Sequence, residues 1–194
     1  MRRFWSSLWE IVEVVLIAVI TVFIIRNYLA QPFLVSGASM EPNFSHGNYL
    51  LVDELTYRFR EPARGDVVVF RSPQDPKTFF IKRIIGLPSE QVVITDGKVR
   101  LFNEVGDEIK LDEVYLTQGI TPGNVHINLG PAEFLVLGDN RNNSFDSRNW
   151  GPLAEDRIIG VVRIRLFPFD KIGIISHPVL SVRNLRDLPT IQTT

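Results

Sequence analysis

A serine, a lysine and a polar loop supply the side-chain types that can break an acyl bond without a thiol or a metal. Ser39 lies in VSGASMEPNF, residues 35–44, a small-residue turn that Pro42 keeps from becoming a long regular element. Gly37 and Ala38 leave room for a substrate carbonyl to approach Ser39 and its backbone N–H, and Met40 follows directly. A serine hydroxyl is a weak nucleophile until a base takes its proton, so by its own neighbourhood Ser39 reads equally as an ordinary turn residue. The base on offer is Lys82, 43 positions later in KTFFIKRIIGLP. Side chains alternate across a strand, which puts Phe80, Lys82 and Ile84 on one face and Phe79, Ile81, Arg83 and Ile85 on the other. One of the two adjacent cations must lie among apolar neighbours, and the pattern does not say which. Burial lowers a lysine pKa from about 10.4 by up to about 3 to 5 units, which makes a neutral amine available; a guanidinium stays protonated. The alternative is a lysine snorkelling from an exposed edge strand.

A third cluster, LGDNRNNSFDSRNWGPL at residues 137–153, gathers Asp139, Asn140, Arg141, Asn142, Asn143, Ser144, Asp146, Ser147 and Arg148. Such density suits a hydrogen-bonded loop with Asp–Arg pairs, against the plainer reading of a solvated loop. Two arginines beside two aspartates favour charge pairing over metal binding. Elsewhere the composition excludes much. The 194 residues suffice for about one domain, with 45% apolar and 22% charged types, ordinary for a chain with a sizeable core. Lys plus Arg number 21 against 22 Asp plus Glu, no excess with which to neutralise a phosphate backbone, so nucleic acid is a poor partner. There is no cysteine, and His46, His126 and His177 stand in no metal-ligand spacing. No metal or cofactor is expected.

The elements that must position these groups are mostly strands. Short runs separated by turn residues occur at 49–54, 66–70, 79–85 and 91–95, followed by KVRLF, EFLVL, RIIGVVRIRLF and KIGIIS. Asp96-Gly97 between two runs signals a hairpin, because a type I′ turn needs positive φ at both central residues. No helix–strand alternation of the βαβ kind is visible. The fold class expected is mainly β: an antiparallel folded-sheet or barrel-like domain over residues 30–180, with a polar, disposable tail at 181–194.

Before it, VVLIAVITVFII runs uncharged from Glu13 to Arg26. Its 12 residues fall short of the roughly 20 that cross a bilayer core, but Trp5, Trp9 and Tyr28 suit interfacial belts and Arg26 can snorkel. The expected transmembrane anchor covers residues 8–29, after a short cytoplasmic segment at 1–7; a buried helix and a cleaved signal are the alternatives. Arg2 and Arg3 precede the run, and after Arg26 no cation occurs until Arg58, which places the rest outside the cytoplasm.

The three clusters, in type and order, resemble the type I signal peptidases. SGASMEP is similar to that family's nucleophile box, which implies Ser39 as nucleophile, followed by Met40 and Pro42. FIKRIIGLPSE resembles the box of the general-base lysine and implies that role for Lys82. GDNRNNSFDSR resembles the third signature: Ser144 would orient the lysine amine, Asp146 and Arg148 would form a supporting ion pair, and Asp139 and Arg141 would add to the loop's pairing. The resemblance covers roughly residues 8–176. Some members carry a serine where Gly37 stands, so here the Ser39 N–H would carry most of the oxyanion role, beside Gly37, Ala38 and Met40. The interval from Lys82 to Gly138 is short, which implies that the family's inserted second domain is absent. The implied activity is a single-pass, membrane-bound serine endopeptidase of a bacterial-type cell membrane. It would cut exported preproteins after a small-x-small motif, with signal peptides and the lipid bilayer as partners and no obligatory protein partner. Two rival readings stand beside it. A self-cleaving repressor expects a DNA-binding helical module at the N-terminus, and an anchored β-domain that only binds peptides needs no dyad.

Overall fold

The computed structural model describes residues 2–24, 30–116, 119–176 and 183–184. Helix α1 (Arg2–Ile24) comes first, and from residue 9 to residue 22 its side chains are exposed and contribute nothing to the β core. Among the described residues no helix is long and apolar enough to cross a membrane. The last five positions expected in the anchor, 25–29, lie outside the described residues.

Strands then follow one another as β1 (Ala30–Leu34), β2 (Tyr49–Asp53), β3 (Val67–Arg71) and β4 (Phe79–Gly86). Next come β5 (Gln91–Thr95), β6 (Lys98–Phe102), β7 (Glu108–Lys110) and β8 (Val125–Asn128). The remainder are β9 (Glu133–Leu137), β10 (Leu153–Ala154), β11 (Ile158–Phe167), β12 (Gly173–Ile174) and β13 (Arg183–Asn184). They pair antiparallel in two sheets. The larger runs β1-β2-β11-β3-β4-β9-β10 with β12 beside β11, and the smaller runs β13-β7-β6-β5-β8. The short interval between Lys82 and Gly138 therefore still holds most of a second sheet. Arg183–Asn184, within the stretch expected to be a disposable tail, adds a strand to it.

The central strands owe their apolar runs to cover on both faces. In β3, Val67 and Val69 pack with Met40, Phe44, Leu50, Val52 and Val162, while Val68 and Phe70 pack with Ile84, Phe134, Val136 and Leu153. A strand buried on both sides loses the polar alternation of a surface strand. β5 keeps that alternation, with Val92 and Ile94 turned into a third core cluster beside Ile85 and Leu137. The Asp96-Gly97 turn is as expected: φ is 51° and 75°, and Thr95 pairs with Lys98 across it.

Two features of the large sheet matter for the chemistry. β4 lies between β3 and β9, with Val68 opposite Lys82 and Ile84 opposite Val136, so Lys82 is on a central strand and not an edge. The sheet also curls. Phe33 of β1 and Phe79 of β4, four strands apart in the order, meet edge to face with ring centroids 5.6 Å apart. That closure forms a cleft of about 110 Å³ between them, lined by Phe33, Leu34, Val35, Phe79 and Ile81, with Ser39 and Lys82 in its wall.

Candidate active site

Both cations of β4 are buried, Lys82 and Arg83 each at 3% exposure, on opposite faces of the strand. What separates them is the partner each meets. Lys82 Nζ lies 2.7 Å from Ser39 Oγ and donates to the Ile81 carbonyl at 2.9 Å. Its ammonium also lies 5.5 Å from the centre of the Phe80 ring, two residues along the same face. Among the described residues it forms no ion pair. Arg83 donates twice to Asp139, from Nε at 2.8 Å and from the other end of the guanidinium at 2.6 Å, and its plane sits 4.1 Å over the Tyr115 ring. Desolvation therefore acts on Lys82 with little to oppose it. Its pKa is pushed down to about 8, with the more distant Asp146 and Asp139 carboxylates pulling the other way.

The Ser39 turn is held against the 138–148 loop by main-chain and amide contacts. Asn140 N–H donates to the Ser39 carbonyl at 3.0 Å, and Asn140 Nδ2 donates to the Ala38 carbonyl at 3.1 Å. Asn43 Nδ2 donates to Asp139 Oδ2 at 2.8 Å, and Met40 is buried with its sulfur 3.5 Å from the Asp139 N–H. Gly37 is exposed at φ 96°, its N–H facing His46 Nδ1 at 3.4 Å.

A serine whose hydroxyl contacts a buried, uncompensated amine at the wall of an apolar cleft has the parts for nucleophilic attack on a carbonyl. The same chain matches the family model described as signal peptidase, peptidase S26, over residues 8–167. The chain belongs to that family. It is 35% identical to signal peptidase I of Leptolyngbya laminosa over 181 residues, 89% of this chain and 86% of the relative. It is 34% identical to probable signal peptidase I-2 of a Synechocystis strain over 173 residues, 86% and 77% of the two chains. A solved signal peptidase I from Enterococcus faecalis aligns with TM-score 0.45 and 28% identity, covering 53% of this chain and 97% of that one. As a member of peptidase family S26, the protein is a serine endopeptidase.

The rest of the peptidase loop departs from local pairing. Asp139 reaches back to Arg83 and not to Arg141. Arg141 turns away to Glu113, the Tyr115 hydroxyl and Thr121, and bonds the Gly138 carbonyl. Only Asp146 and Arg148 pair within the loop, at 2.8 Å, with the Asp146 side chain fully buried. Asp146 also accepts from the Gly138 N–H at 3.0 Å and caps the short helix α2 (Ser147–Trp150). Burial alone would raise the Asp146 pKa, but the Arg148 and Gly138 donors outweigh it and hold the carboxyl below its usual range. The Ser144 hydroxyl is buried and forms no hydrogen bond to the Lys82 amine; what it faces is Asp146, whose carboxyl it helps to hold down. Ser144 also packs against Gly138.

Arg148→Ala is expected to cost about 3 kcal/mol of stability, because it leaves Asp146 as a buried charge without its cation. A fall in the denaturation midpoint near neutral pH checks this. Since the Asp146 carboxyl is depressed in the folded state, the pair's contribution is present above the unfolded carboxylate pKa of about 3.9 and fades as pH drops below it. The variant and parent should therefore converge in stability at acid pH.

Sequence reasoning missed Glu113, Tyr115, Thr121 and Asn43 as parts of this site, and gave Arg83 and Asn140 no role of their own. Arg83 and Asn140 had a signal, as neighbours of Lys82 and Asp139. Glu113 and Tyr115 had none, since they come from a strap of the second sheet that only tertiary folding lays over the loop.

Proposed function

We propose that this peptidase is a membrane-anchored Ser-Lys endopeptidase that removes signal peptides from exported preproteins, cutting after a small-x-small motif. The observation that carries the reading is the 2.7 Å contact of Ser39 Oγ with a lysine that is buried, forms no ion pair among the described residues and has its pKa brought down to about 8. Neutral Lys82 accepts the Ser39 proton as Oγ bonds the scissile carbonyl carbon. The tetrahedral oxyanion is met by the Ser39 N–H, which donates to nothing else among the described residues. The C–N bond breaks as the leaving amine takes the proton from Lys82; the neutral Lys82 amine then takes a proton from water as its oxygen bonds the acyl carbon, and returns it to Ser39 Oγ as the acid leaves. Asp139 and Arg141 act at a distance, by fixing the loop against β4 and the second sheet.

The cleft supports the substrate class. About 110 Å³ of space lined by Phe33, Val35 and Ile81 admits small apolar side chains and resists bulky ones, and a preprotein would lie along it as an extended strand. The anchor reading rests on α1, whose apolar side chains such as Leu16, Ile17 and Val19 find no protein cover. On this reading residues 8–29 sit in the membrane with residues 1–7 cytoplasmic. Residues 30–180 lie outside as the catalytic domain, and confinement to one surface raises the effective concentration of substrate.

Cleavage of a preprotein with an Ala-x-Ala site by the full-length chain tests the proposal, with the final Ala replaced by a bulky residue as the comparison. Activity should rise about tenfold per pH unit and level off near pH 8, because the ammonium form below that value cannot accept the serine proton. A rate that stays flat from roughly pH 5 to 9 overturns Lys82 as the base.

A further inference from the structure

The oxyanion donor invoked above is a backbone N–H, and its direction is fixed by the peptide unit that carries it. A peptide unit is planar and here trans, so the Ala38 carbonyl and the Ser39 N–H point in opposite directions from one rigid plate. Holding the carbonyl end aims the N–H end. That carbonyl accepts two hydrogen bonds, from the Glu41 N–H at 3.2 Å within the turn and from Asn140 Nδ2 at 3.1 Å across the site. The next peptide unit is held by the same residue, through Asn140 N–H to the Ser39 carbonyl at 3.0 Å. Asn140 thus grips the plates on both sides of the Ser39 Cα.

Its own placement is rigid. The Asn140 carbonyl accepts from Asn143 N–H at 3.0 Å, and its neighbours on either side are Asp139, locked to Arg83, and Arg141, locked to Glu113. At Gly37 there is no side chain to supply a second donor, which leaves the aim of the Ser39 N–H decisive.

We propose that Asn140 is a positioning residue that orients the Ser39 N–H toward the developing oxyanion, acting through the Ala38 carbonyl and not on the substrate. The proposal deepens the reading of Ser39 as nucleophile and rests on it. A staple that merely held the loop would, when cut, lower thermal stability and leave turnover per folded molecule unchanged. An aiming bond, when cut, weakens stabilisation that exists only in the transition state. It lowers kcat and spares KM.

The test uses the full-length chain with Asn140→Ala and the near-isosteric Asn140→Asp, which keeps the main-chain bond to Ser39 but loses the Nδ2 donor. For Asn140→Ala, kcat should fall on the order of 10- to 100-fold, part of the 10²- to 10³-fold seen when an oxyanion donor is removed outright. KM should stay within about twofold and the pH midpoint near 8 should not move, since Lys82 is untouched. A peptide aldehyde, which forms a tetrahedral adduct with Ser39, should lose affinity in step with kcat, while an uncleavable ground-state peptide should not. If Asn140→Ala does not fold, the aldehyde and kcat comparison is read on Asn140→Asp. Unchanged kcat, or a loss of kcat accompanied by a shifted pH midpoint, overturns the proposal. Ser39→Ala separates the two levels. Undiminished cleavage by that variant sinks the nucleophile assignment itself, whereas an inert Ser39→Ala beside a fully active Asn140→Ala sinks only the aiming role.

Discussion

Lys82→Met is expected to lose cleavage by about 10⁴-fold while making the protein no less stable, and Ser39→Ala should be as inert. The two halves of that expectation have one cause. An amine buried without a carboxylate partner has its pKa drawn from 10.5 to about 8, so at neutral pH folding must desolvate or deprotonate it, at a cost on the order of 3 kcal/mol. The sign follows from proton counts. Between about pH 8 and 10.5 the unfolded chain holds a proton that the folded one has released, so stability rises with pH across that window and the full penalty applies below it. Methionine fills the same space among Phe80, Ile84 and Val68 without the penalty. Lys82→Arg should be inactive too, because a guanidinium stays protonated and brings a bulkier cation into the same pocket. Preprotein cleavage and thermal unfolding, measured together, check both halves. Full activity in either Lys82 variant would end the dyad reading.

Gly138→Ala is the second large effect, and sterics alone produce it. A methyl group there would stand 2.2 Å from Ser144 Oγ and 2.4 Å from the Ser39 carbonyl oxygen, far inside contact distance on two sides. Ser144 Oγ can turn aside, but Ser144 Cβ at 2.6 Å and the Ser39 carbonyl cannot. The Gly138 N–H is tied to buried Asp146, and the Ser39 carbonyl is tied to Asn140. The displaced part must be the Ser39 turn, and a misplacement near 1 Å costs about 10²-fold in rate. Overpacking adds about 1 to 3 kcal/mol of destabilisation. A loss of kcat/KM of at least about 10²-fold in folded protein is expected. Near-normal turnover would mean that the loop is softer than its hydrogen bonds indicate.

What the sequence disclosed about this site follows the range of the interactions involved. The Asp96-Gly97 hairpin was legible because a turn's backbone demands are met within four residues. The face assignment in β4 was legible too, since Phe80 and Ile84 share a core cluster while Ile81 and Ile85 belong to others. The choice between Lys82 and Arg83 was not, because alternation presumes one wet face and β4 has none. Arg83 is accommodated by Asp139, 56 positions away, a partner no local pattern announces. Likewise Asp139 and Arg141 are two apart and look paired on paper, but their side chains leave in different directions, one to β4 and one to Glu113. The single local pair that formed, Asp146 with Arg148, is the one a helix cap already brings together.

The grip of the 138–148 loop on the Ser39 turn also sets a schedule. Ala38 and Ser39 leave the ribosome about a hundred residues before Arg148, and Asn140 bonds Ala38 across a separation of 102 positions. At roughly 5 to 20 residues per second, that interval lasts on the order of 5 to 20 s. During it β1 and the serine turn exist without the groups that align them. Contacts so distant along the chain also pay their loop-closure cost before any reward arrives, which slows the final assembly. A chain built this way leaves the ribosome as an unarmed protease and becomes competent only after the 138–148 loop has followed.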